Sequence, residues 1–150
     1  EVGRVTLEAY LADGMVTPGS SYSAELADGA RRAGQAELLV AAGPGGRLLG
    51  TVTVCLPGSP LSEISRPGEL EFRMLAVAPE ARGAGVGAAL VAAVLRRATE
   101  VGAYSVVLCS AERMHAAHRL YTRLGFSRLP DRDWEPVPGF RLMAFGLVRS

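Results

Sequence analysis

Three glycines alternate with other residues in Arg82-Gly83-Ala84-Gly85-Val86-Gly87, between a β-rich stretch ending at Val77 and a helical stretch beginning near Gly85. Glycine carries no Cβ to hold an anion away from backbone N–H groups. A helix N-terminus adds amides without intrahelical partners and the positive end of the helix dipole. With Arg82 beside them, these residues read as a phosphate cradle rather than a merely tight turn. The GK[ST] ending of a P-loop is absent. Gly83, Gly85 and Ala88 do satisfy the G-x-G-x-x-A of dinucleotide sites. The loop, however, follows the third strand of a meander, and the next strand ends in Cys109-Ser110 where a carboxylate should meet the ribose.

Composition narrows the remaining chemistry. All sixteen basic residues are arginine, so no lysine can form a Schiff base, act as a general base or hold a P-loop phosphate. The net charge of +1 and the scattered arginines argue against nucleic acid as the main partner. Cys55 and Cys109 form no CxxC pair and read as buried thiols of a reducing compartment. His115 and His118, three residues apart, read as a polar helix face, and no metal is expected. With no run of 18 apolar residues and no signal-peptide pattern, no membrane partner and a cytoplasmic location are expected.

A chain of 150 residues fits one domain, 1–150, with no repeat and no dividing linker. The apolar spacing of Val2, Val5, Ala9 and Ala12 predicts a helix over 1–12, ended by Asp13-Gly14. A second helix is expected from Ser21 to Ala33 with Gly34 as its C-cap. Glu37–Ala42 and Arg47–Leu56, flanking Gly43-Pro44-Gly45-Gly46, predict a hairpin. After a Pro/Gly/Ser-rich loop over 57–68, Glu69–Val77 reads as a strand and Gly85–Val101 as a helix closed by Gly102. Tyr104–Ser110 reads as a buried strand, Glu112–Leu124 as a helix, and Phe126–Leu129 and Phe140–Val148 as the last strands, joined by 130–139. The hairpin implies antiparallel pairing, and strand-helix-strand over 69–110 a parallel pair. An α/β mixed sheet with helices on both faces follows.

Two segments together carry a family resemblance. Arg82-x-x-Gly85-x-Gly87, following Leu75-Ala76-Val77-Ala78-Pro79, resembles the coenzyme A motif of the GNAT superfamily of N-acetyltransferases. Ala117-His118-Arg119-Leu120-Tyr121-Thr122-Arg123-Leu124-Gly125-Phe126 resembles that family's A-x-x-L-Y-x-x-x-G-F signature. The resemblance implies a mostly antiparallel central sheet whose one parallel strand pair splays around coenzyme A. It implies acetyl-coenzyme A as co-substrate and a small-molecule or peptide amine as acceptor, in a monomer or homodimer. The family's first strand, ahead of the first helix, is not visible here.

Carried over by position, the backbone of Leu75, Ala76 and Val77 would pair with the pantetheine arm, and the amides of Arg82, Gly83, Ala84, Gly85, Val86, Gly87 and Ala88 would hold the pyrophosphate. The Leu75 N–H would donate to the thioester oxygen, and Tyr121 would protonate or hydrogen-bond the thiolate. The family's Asn before the second motif is Met114 here, leaving Ser110 as a substitute contact. Glu71, four residues before Leu75, is expected on the same face as Arg73 and the thioester, where a family glutamate often serves as base; a solvated strand face, or pairing with Arg73 alone, is the other possibility. Glu71, Arg73 and Trp134 are thus candidates to border the acceptor, along with the loop over 57–68. A coenzyme A-binding regulatory or sensory module without turnover is the alternative function.

Overall fold

A computed structural model of the chain describes residues 1–12, 19 and 21–148. Helix α1 (Val2–Ala12) buries Val5, Thr6 and Ala9 along one stripe, as its sequence period requires. The expected stop at Asp13-Gly14 lies outside the described residues. The helix expected over 21–33 is two helices, α2 (Ser21–Ala27) and α3 (Gly29–Gln35). The break has a polar cause. The Asp28 carboxylate accepts the Arg31 N–H at 3.0 Å and so caps α3. The Arg32 guanidinium donates to the Glu25 and Leu26 carbonyls, satisfying the end of α2. Gly34 lies inside α3, and the cap residue is Ala36.

Strands β1 (Glu37–Ala42) and β2 (Leu48–Cys55) form the expected hairpin, and β3 (Glu69–Val77) adds antiparallel to β2. Helix α4 (Val86–Val101) then crosses over to β4 (Ser105–Ala111), which lies parallel to β3. Helix α5 (His115–Arg123) leads to the short β5 (Ser127–Arg128). Strand β6 (Trp134–Val137) pairs with β7 (Phe140–Val148), and β7 fills the space between β4 and β5. Strand β6 falls where a plain connection was expected. Pro136 hides it from a pattern reading, and an exposed edge strand tolerates a proline.

The sheet order β1-β2-β3-β4-β7-β5 is a mixed sheet with one parallel pair, the architecture the resemblance implies. Helices α1 and α4 both pack on β2 and β3. The α4 side holds the main core of Val52, Val54, Phe72, Leu90, Val91 and Val94. The α1 side adds a smaller cluster of Val5, Leu48 and Ala78. Gly50 sets how close α4 can come, because a Cβ there would lie 2.8 Å from the Ala76 carbonyl and 2.9 Å from Val86 Cγ1. Among the described residues no helix is long and apolar enough to cross a membrane.

Candidate active site

The chain leaves β3 at Val77, turns over Pro79–Ala81 and enters α4 through Arg82, Gly83, Ala84 and Gly85, all four exposed. Gly83 and Gly85 have φ of +85° and +78°, a region that costs a residue bearing a Cβ about 1–2 kcal/mol. A Cβ at either would meet nothing within 4 Å. The backbone path, not crowding by the protein, therefore demands glycine at 83 and 85. Gly87 differs, since it lies within α4 and a Cβ there would approach Leu120 Cδ2 at 3.3 Å. The Ala89 N–H donates to the Gly85 carbonyl at 3.1 Å, so the amides of Val86, Gly87 and Ala88 precede the helical ladder and remain available. The Arg82 guanidinium donates to the Ala9 carbonyl of α1 at 3.3 Å, tying the loop to the opposite layer.

Strands β3 and β4 pair only from Glu69–Ser105 to Glu71–Val107. Beyond that point they part, and among the described residues the β4-facing edge of β3 from Phe72 to Val77 has no ladder partner. Such an edge can pair with an extended ligand as another strand would. The opening holds a cavity of about 720 Å³. Leu75, Ser110, Met114 and Tyr121 all line it. A free strand edge leading toward the unladdered amides at the start of α4 suits a long ligand that ends in phosphates, so the residues present fit coenzyme A.

Tyr121 is held by rings. Its centroid lies 5.9 Å from Phe72, 6.1 Å from Phe126 and 5.7 Å from Phe145. Burial pushes its hydroxyl well above the ordinary phenol range, which keeps the proton on the oxygen at neutral pH. A phenol held protonated against an apolar cavity can donate to a developing thiolate.

Strict alternation would place Glu71, Arg73 and Leu75 on one face, but β3 breaks it. Met74 has φ +56°, and the register slips so that Thr53 faces Arg73 while Thr51 faces Ala76. Two residues of β3, Met74 and Leu75, thus stand opposite Val52, the arrangement of a β-bulge. Leu75 and Val77 pack into the α4-side core alongside Phe72, whereas Arg73 reaches Glu25 of α2.

The bulge corrects the expectation for Glu71. Its carboxylate is fully buried and accepts the N–H groups of Glu63 at 3.0 and 3.1 Å, Ile64 at 3.0 Å and Ser65 at 3.0 Å. It is not among the residues lining the cavity. The side chain that spacing places beside the acceptor pins the loop over 57–68 from beneath. Burial raises its pKa, opposed by those three N–H groups and then by Arg73.

The cavity carboxylates are Glu25 and Glu63, neither singled out by the sequence. Arg73 does line the cavity as expected, and it organises both. Its Nε lies 3.2 Å from Glu63, another nitrogen 3.9 Å from Glu25, and a third donates to the Leu61 carbonyl at 3.2 Å. Tyr10 and Tyr22 complete this flank, their rings edge-on at 6.3 Å. Burial raises the pKa of Glu63, and Arg73 opposes it. No sequence spacing links α1, α2, the loop over 57–68 and β3, so only the fold brings these residues together.

Trp134 does not line the cavity. Pro136, Val137, Phe140 and Leu142 form that wall, and Trp134 stands behind it next to Cys109, which does line the cavity. The bend before β6 is fixed by Asp133. Its carboxylate accepts from Arg128 at 2.9 and 2.7 Å, from Arg141 at 2.7 Å and from the Ala144 N–H at 2.8 Å. His118 lies tilted against Phe145, ring centroids 5.0 Å apart, with its Nε2 buried and without a hydrogen-bond partner among the described residues.

Comparison with known proteins bears on this geometry. The pattern described as the acetyltransferase (GNAT) family matches residues 7–126. An uncharacterized N-acetyltransferase of Schizosaccharomyces pombe is 30% identical over 138 residues, which cover 90% of this chain and 80% of that protein. The crystal structure of nourseothricin acetyltransferase superposes with a TM-score of 0.62 at 28% identity, over 77% of this chain and 66% of that one. An acetyltransferase of Bacillus subtilis in complex with CoA shares the fold, with a TM-score of 0.69 at 18% identity over 98% of this chain and 92% of that one.

Proposed function

This chain belongs to the acetyltransferase (GNAT) family, and on that premise we propose that residues 1–150 form one domain that passes the acetyl group of acetyl-coenzyme A directly to a primary amine of a small molecule or peptide. The observation that carries this reading is the splay of β3 from β4 beyond Glu71–Val107. It opens one cavity that touches the free edge of β3, the Tyr121 ring and the Arg73 cluster at once.

When bound, acetyl-coenzyme A supplies a thioester whose carbonyl carbon accepts the amine. The amides of Gly83 through Ala88 hold its pyrophosphate, the Arg82 N–H being donated to the Pro79 carbonyl at 3.4 Å, and the backbone of Leu75, Ala76 and Val77 pairs with the pantetheine arm. The Leu75 N–H donates to the thioester oxygen, where negative charge gathers during attack. The Tyr121 hydroxyl delivers its proton to the departing sulfur. Ser110 serves where Met114 offers no amide. The cysteines favour transfer without an acyl-enzyme. Burial raises Cys55 to about 11 and Cys109 to about 12, and a thiol held protonated is a poor nucleophile.

Mass spectrometry of the intact protein after incubation with acetyl-coenzyme A tests direct transfer. The expected result is unmodified protein in the absence of amine and acetylated amine once it is added. An acetyl group that accumulates on Cys109, and leaves when amine is supplied, would replace direct transfer with a two-step reaction.

A further inference from the structure

The acceptor flank of the cavity carries an unequal charge set. Glu25 and Glu63 bring two carboxylates to Arg73's one guanidinium there, while the cavity's other guanidinium, Arg113, belongs to the turn between β4 and α5. Arg73 is committed to Glu63, Glu25 and the Leu61 carbonyl, so it leaves no fork for an anionic acceptor. Tyr10 and Tyr22 stand edge-on to each other on this flank, and Phe140 lines the same cavity. Such a chamber suits a cation with an apolar body.

Within it, Glu63 is the carboxylate whose position is most closely determined. Its own N–H and the next two in the chain are bound by Glu71, and its side chain, 23% exposed, is turned onto Arg73. A fully buried carboxylate accepting three consecutive backbone N–H groups is a costly device unless the loop it fixes must be precise. The residue at the head of that loop segment is Glu63.

We propose that Glu63 receives and deprotonates a cationic, aryl-bearing amine acceptor, and that Glu71 is the positioning residue that holds Glu63 in place. The inference rests on the acetyl-transfer reading above. Of the two protons the ammonium nitrogen gives up, the first passes to the Glu63 carboxylate and on to solvent. The freed lone pair forms the C–N bond, the C–S bond breaks, and its electron pair leaves with sulfur. The second proton makes good the one that Tyr121 delivers to that sulfur. The charged and titratable groups whose charge Glu63 feels are Arg73 and Glu71 of β3, Cys55 of β2, Cys109 of β4, Glu25 and Tyr22 of α2, and Tyr10 of α1.

The test uses two amines of similar shape, 2-phenylethylamine, cationic at neutral pH, and 4-ethylaniline, which is neutral there. Wild type is expected to bind 2-phenylethylammonium by calorimetry without acetyl-coenzyme A and to acetylate both amines. Glu63→Gln should weaken that binding about tenfold and lower kcat/KM for 2-phenylethylamine about 100-fold, with a loss under about tenfold for 4-ethylaniline, which needs no initial deprotonation. Glu71→Gln should show the same bias in weaker form, and Glu71→Asp should recover part of it. Equal losses on both amines in Glu63→Gln, or none, would overturn the role of Glu63. Equal losses in Glu71→Gln would reduce Glu71 to a structural residue. If wild type binds acetyl-coenzyme A but refuses 2-phenylethylammonium, the acceptor class is wrong. If acetyl-coenzyme A itself fails to bind, the acetyl-transfer reading fails instead.

Discussion

On the α4 side the groups on offer are backbone groups, namely the free edge of β3 beside the cavity and, past the end of that strand, the amides from Gly83 to Ala88. On the α1–α2 flank they are side chains, Glu25, Glu63, Arg73, Tyr10 and Tyr22. The first flank depends on the path of the chain, set by positive φ at Gly83, Gly85 and Met74. The second depends on residue identity. A site built from backbone tolerates exchange of the side chains around it, whereas a site built from side chains can change its ligand with one substitution. Under the proposed function, the family's shared co-substrate and this chain's particular acceptor would belong to different flanks.

Four substitutions probe that division, in descending order of expected effect. Tyr121→Phe removes the hydroxyl that the proposed reaction uses to protonate the departing sulfur. It should lower kcat about 100-fold while the acetyl-coenzyme A Kd by calorimetry stays near wild type; an unchanged kcat would take Tyr121 out of the reaction. Asp133→Asn loosens the support of the opposite wall, whose Arg128, Arg141 and Ala144 contacts each depend on the carboxylate. A loss of about 2 kcal/mol in urea unfolding is expected at neutral pH.

The same residue carries a pH signature. The hydrogen bonds from Arg128, then Ala144 and Arg141, hold Asp133 well below the ordinary carboxylate range, against the opposing effect of burial. Its contribution is therefore complete above its unfolded pKa of about 4 and disappears as pH falls through the lower folded value. The difference between wild type and Asp133→Asn should shrink on acidification; a difference independent of pH would contradict the assignment.

Gly85→Val keeps every donor-flank side chain and alters only the path. With a left-handed cost of about 1–2 kcal/mol, acetyl-coenzyme A affinity should fall about tenfold with acceptor binding unchanged. Parallel losses in both would show the flanks to be coupled. Trp134→Phe should be the mildest. Because the ring lies outside the cavity wall, acceptor KM should move less than about twofold, and a larger change would restore Trp134 to the acceptor site.

The donor flank was largely legible in the sequence, because its information is local. Arg82–Gly87 is a run of neighbours, and Tyr121 stands in a contiguous motif, so both can be read without the fold. The acceptor flank was not. Glu25 and Glu63 are ordinary acidic residues until α2 and the loop over 57–68 meet across Arg73. Glu71 was misplaced for a subtler reason. Alternation over 69–77 assumes an uninterrupted strand, and Met74, a residue with no preference for positive φ, gives no warning of the bulge. The helix expected over 21–33 failed because Asp28 and Arg32 satisfy backbone groups that its period would have kept helical.

Release of free thiol from acetyl-coenzyme A, followed with and without an amine panel that includes 2-phenylethylamine, tests the central claim most directly. The expected result is release that depends on the amine and matches acetylated product mole for mole. Tight binding of acetyl-coenzyme A with no release above the amine-free rate, across the whole panel, would contradict it and make the chain a coenzyme A-binding module without turnover.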